Sequence, residues 1–152
     1  MHHYIHLLIM SVLSFISMYV FMYAMVDIFG NVYPNINQFY MAALMTAPMV
    51  LIELAVMRSM YKNKTANIAV IAASLVVLVG SWVLIRQQGF VGDTQFLKSM
   101  IPHHAGAVLM CEQAPIQDAE VRTLCGEILK SQRAEIAQMK GIIQRLERSA
   151  AR

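Results

Sequence analysis

Residues 100–111 read Met-Ile-Pro-His-His-Ala-Gly-Ala-Val-Leu-Met-Cys. On a helix this run sets two imidazoles, two thioethers and a thiol within about three turns. Imidazole suits copper, zinc, iron and nickel, whereas thioether and thiolate select soft ions, above all Cu(I). Leu97, Met100, His104, Ala107 and Cys111 recur at intervals of three and four, the spacing of a buried helix face. A His pair on such a helix also has a plain reading as surface or capped core, so the partner of this face decides.

Val121, Cys125, Ile128, Gln132, Glu135, Met139, Ile142 and Leu146 carry the same alternation. It is the seam of a helix laid along another. The Gln113–Gln117 segment with Pro115 makes the turn, so helices over 93–113 and 119–148 form an antiparallel hairpin. Setting Cys111 opposite Cys125 brings His104 near Gln132, Met100 near Glu135 and Leu97 near Met139. The polar interruptions of both seams then fall at one level. Polar groups in an apolar seam are costly unless something satisfies them. A metal ion held by Met and His would do so. So would a His-Gln-Glu hydrogen-bond cluster that fixes the helix register. Both readings stay open.

The run Asp93-Thr94-Gln95-Phe96-Leu97-Lys98-Ser99-Met100-Ile101-Pro102-His103-His104-Ala105-Gly106-Ala107, followed by Ile128, Gln132, Glu135-Ile136 and Met139, resembles domain-of-unknown-function family 305. Within it the run looks like the CopM-like periplasmic copper-binding proteins. The whole chain is also similar to a membrane-bound subgroup with three spans ahead of this domain. The resemblance implies a ferritin-like helical bundle and, from some members, binding of copper or silver. The ligand set it carries over is Met100, His103, His104, Met110, Gln132, Glu135 and Met139. Cu(I) is the expected ion, with silver as its surrogate.

Of the 152 residues, 58% are hydrophobic and 14% charged, against about 25% charged in soluble domains. Thirteen methionines and a positive mean hydropathy add to the picture of a membrane protein. Spans are expected over 7–29, 39–57 and 67–86, each long enough to cross about 30 Å of hydrocarbon. They form a membrane domain over 1–88, ahead of a hairpin domain over 89–152. The first span lacks a basic lead-in and a small-residue cleavage site, so it reads as an anchor. Arg58, Lys62 and Lys64 make the 58–64 loop basic, and the 30–38 loop has neither Lys nor Arg. The positive-inside rule then puts the N-terminus in the cytoplasm and the hairpin outside, in the periplasm if the membrane is a bacterial inner membrane.

Met18, Met22 and Met25 share a face of the first span, and Met41, Met45 and Met49 share one of the second. Methionine is a common gap-filler in apolar packing. The functional alternative is a thioether path for a soft cation, with Glu53 on the way. An acid at that depth needs a partner or a watery cavity; a basic group at the cytoplasmic edge is the expected partner. Pro48 should kink the second span and Pro102 the first hairpin helix. Asp93 and Asp118 are the expected N-caps. Leu129, Ile136 and Ile143 with Ile101 and Val108 form a second apolar line that a lone hairpin cannot bury. A second copy, completing a four-helix bundle by dimerisation, or the membrane domain should cover it.

Cys111 and Cys125, facing each other in this register, are a possible disulfide if the domain meets an oxidising compartment. The bridge would add roughly 3 kcal/mol on the chain-entropy account. There is no Gly-rich phosphate loop, nucleophile elbow or CxxC, and no Glu-x-x-His pair of the diiron type. No enzyme activity is expected. A net charge of +3 makes no case for nucleic acid. The chain reads as an all-α, membrane-anchored, extracytoplasmic binder of a soft metal in homeostasis or delivery, with a copper-handling protein as a possible partner. The alternatives are a copper transporter or channel component using the Met-lined spans, and a structural or interaction module.

Overall fold

The computed structural model describes residues 2–151, all helix and connecting turns, with no strand among them. The elements are α1 (His2–Phe21), two 3-10 turns (Met22–Met25 and Phe29–Asn31), α2 (Ile36–Val56), α3 (Lys64–Gln87), α4 (Asp93–Gln113) and α5 (Ala119–Ala150). The chain is all-α, as the periodicity requires. Three helical segments, His2–Met25, Ile36–Val56 and Lys64–Gln87, are long and apolar enough to cross a membrane.

The first helix differs from the expected 7–29 span at both ends. It starts earlier because the Tyr4 hydroxyl, bonded to Asn67 Oδ1 at 2.8 Å, fastens the opening turns. It stops at Phe21 because the following residues satisfy one another locally. Val26 N–H donates to the Tyr23 carbonyl, and Asn31 N–H to that of Ile28. Hydropathy marks where apolar residues lie, not where the backbone ladder ends.

Two compact units divide the chain. One takes residues up to Met22 together with Asn37–Phe90, and the other takes Tyr23–Ile36 with the chain from Val91 onward. In the first unit, Leu7, Val50, Leu54 and Tyr61 form a buried cluster. Asn63 caps α3 by accepting from Ala66 N–H, and Tyr40 donates to the Gly89 carbonyl at 2.9 Å. Most exposed side chains of α1 and α3 are apolar, Leu8, Val12, Ile68 and Val76 among them. Lipid suits that surface better than water does.

The second unit is the hairpin of α4 and α5 with the 23–36 segment laid against it. Gly92, not Asp93, occupies the N-cap of α4; Asp93 instead sits in the first turn, where its charge favours the helix N-terminus. Asp118 caps α5 through the N–H groups of Glu120 and Val121. The core joins Leu97, Ile101, Ala105 and Val108 of α4 to Ile136, Met139 and Ile143 of α5. Ile101 and Val108 have no exposed surface. The second apolar line thus finds cover within the same chain: Val26 and Tyr33 pack on it. Gln95 fastens that cover by accepting from Ile36 N–H at 3.0 Å. At Gly106 the segment comes so close that an added Cβ would lie 3.5 Å from the Met25 carbonyl oxygen.

Candidate functional site

α4 presents His104 to the interior of the hairpin, 8% exposed, while His103 beside it stays at the surface. Their ring centroids lie 6.1 Å apart. His104 Nδ1 is 2.9 Å from the Met100 carbonyl oxygen, one turn back on its own helix. Its Nε2 is 2.7 Å from Glu135 Oε2 on α5. A carbonyl only accepts, so Nδ1 carries a proton. Nε2 then faces a carboxylate, and the pair holds together as imidazolium and carboxylate when Nε2 is protonated as well. Glu135 also accepts from the Ser131 hydroxyl at 2.6 Å. That hydrogen bond first, and His104 second, hold its carboxyl below the ordinary glutamate range.

The register of the hairpin brings the expected polar groups to one level, with one shift. His104 reaches Glu135 and not Gln132, one turn nearer the hinge of the hairpin. Helical side chains lean toward their own N-terminus. In an antiparallel pair His104 leans away from the turn and Glu135 toward it, so these two meet. Gln132 is half-buried on the same face. Met139 is buried in the core and Met100 packs against that core, while Met110 is 52% exposed, away from it.

Cys111 and Cys125 come together as the register requires, as free thiols in this structure. Their mutual hydrogen bond, then burial, pushes the Cys111 thiol up to about 11, so it stays protonated at neutral pH. No three His, Cys, Asp or Glu side chains among the described residues converge as metal ligands. What α4 and α5 do assemble is one buried imidazole, a partly exposed carboxylate (its side chain 46% exposed) and two thioethers at the core.

The residues of the possible membrane path are distributed differently. Met18 Sδ lies 3.6 Å from the Thr46 hydroxyl, and Met49 packs on the Leu7 cluster. Met41 and Met45 are exposed on α2. Met22 and Met25 fall in the 3-10 turn past the end of α1, so the even face read from the sequence breaks there. Glu53 has the Tyr61 hydroxyl as its partner at 3.4 Å, in place of the expected basic group. Reading the sequence missed Ser131, one turn before Glu135, and the Glu112–Arg133 ion pair across the hairpin. The i, i+4 spacing of Ser131 and Glu135 was the available signal.

Residues 93–152 match the family model described as Domain of unknown function (DUF305). The chain is 31% identical over 141 residues to the "Uncharacterized protein L153" of Acanthamoeba polyphaga mimivirus, covering 90% of each chain. No solved structure matches. The similarity to the viral protein takes in the apolar helices as well as the hairpin, and so this chain belongs to that protein's family, with a DUF305 domain as its C-terminal part.

Proposed function

We propose that this protein is a membrane-anchored binder of a soft metal ion, Cu(I) before others, and that its hairpin domain holds the ion outside the cytoplasm for homeostasis or delivery. The observation that carries the reading is the state of His104. An Nδ1–H donated to a backbone carbonyl is the arrangement that orients a metal-ligating histidine and leaves Nε2 as the ligand. Met100 and Met139 supply the soft donors. Glu135 now occupies Nε2; being partly exposed, it can swing aside, and the ion then takes the place of a proton. A hard ion, which asks for six or more oxygens, finds no converging set of carboxylates among the described residues. His103 and Gln132 are the further candidate ligands, whereas Met110, exposed and away from the core, is not brought to this set.

A second reading has its own support. The His104–Glu135 pair at 2.7 Å, with Ser131 behind it, is sufficient to fix the hairpin register without any metal. A transporter role is a third, resting on Met18, Met22, Met25, Met41, Met45, Met49 and Glu53. Elemental analysis separates the first two. Full-length protein purified from copper-supplemented cells is expected to carry about one copper per hairpin site, and protein grown with a copper chelator none. Equal, negligible copper in both preparations favours the register reading.

A further inference from the structure

The second unit holds a groove of about 380 Å³ between the Asp27–Asn31 turn, the end of α4 and the middle of α5. That volume falls in the range of small-molecule sites. Asn31, 3% exposed, lines it. Its Nδ2 donates to Asp27 Oδ1 at 2.6 Å. A carboxylate only accepts, so the amide cannot be turned round. Asn31 Oδ1 is thereby fixed as a buried acceptor, and it has no partner among the described residues. Buried polar groups are nearly always paired, so an orphan on a groove wall marks what the groove is built to receive.

The charges around it narrow the ligand. Glu112 and Arg133 pair with each other. Lys140, two turns beyond Arg133, also lines the groove and forms no ion pair among the described residues. Two demands remain unmet: the acceptor edge of Asn31 Oδ1 and Asp27 wants a donor, and the Lys140 ammonium wants an anion. Ile136 adds an apolar side chain to the lining. Arg133 and Lys140 repel a bare metal cation, and Asp27 repels a simple anion. We propose that this groove binds a small zwitterion, its ammonium on Asn31 Oδ1 and Asp27, its carboxylate on Lys140, and its short apolar body on Ile136.

Calorimetric titration of the full-length protein in detergent, against a micelle blank, tests this with L-leucine and 5-aminopentanoate, whose charges are differently spaced. At least one is expected to bind saturably. Pentylamine and pentanoate, each lacking one charge, are expected to bind at least tenfold more weakly. Lys140→Gln changes one half-buried surface position on α5 and is expected to weaken the zwitterion at least tenfold. Its helical circular dichroism should stay that of the parent. Three results each overturn the proposal: no saturable heat from either zwitterion, equal binding of the one-charge analogues, or full affinity in folded K140Q.

Discussion

Glu135 is where the chemistry of the hairpin concentrates. Ser131 and His104 both favour its charged form, and its pKa in the folded chain lies below that of the unfolded one. A group shifted that way stabilises the fold above its unfolded pKa and loses that contribution as pH falls through the folded value. The window therefore opens near the ordinary glutamate value of about 4.3 and extends below it. In Glu135→Gln the melting temperature of the hairpin is expected to vary less across that acid window than in the parent. Thermal melts followed by circular dichroism at stepped pH check this. An unchanged acid profile would mean that the carboxylate is bystander to the fold.

At the scale of elements, the 23–36 segment matters as much as the two helices it covers. Val26 and Tyr33 pack on the core that contains Ile101 and Val108. Removing buried methyl groups or a ring costs both transfer energy and a residual cavity. Val26→Ala with Tyr33→Ala is expected to destabilise the hairpin by about 2–4 kcal/mol, read as a lower urea midpoint. An unaffected midpoint would show that the line is covered from elsewhere. The helices themselves were legible in the sequence. Leu97, Met100 and His104 on one side, with Glu135 and Met139 on the other, announce their seams by spacing alone, and Asp118 announces its cap. The shift from Gln132 to Glu135 was not legible, because it depends on how side chains lean within an antiparallel pair. The cover from Val26 and Tyr33 was not legible either. It joins stretches distant in the chain, and a polar turn carries no periodicity to point at its target. Met22 and Met25 misled for a related reason: an apolar run continues past the last helical hydrogen bond.

For the whole molecule, the proposed delivery role depends on which side of the membrane the hairpin faces. The orientation we propose, with the loop of Arg58, Lys62 and Lys64 inside, rests on the positive-inside rule. In a background with Cys111→Ser and Cys125→Ser, a single cysteine at position 150 is expected to react with a membrane-impermeant maleimide in intact spheroplasts. A single cysteine at position 63 is expected to react only after lysis. The reverse pattern would put the hairpin in the cytoplasm and remove extracytoplasmic delivery.

The central claim is that His104, freed from Glu135, binds a soft metal together with thioethers from the same core. Competition of the full-length protein with a chromogenic Cu(I) chelator tests it most directly, comparing the parent with His103→Ala/His104→Ala and with Met100→Leu. Leucine keeps the volume of methionine and loses its sulfur. The account predicts that the double-histidine variant loses tight Cu(I) binding while its helices persist, and that Met100→Leu weakens binding about tenfold, a cost of about 1.4 kcal/mol. Parent-like affinity in the double-histidine variant would contradict it.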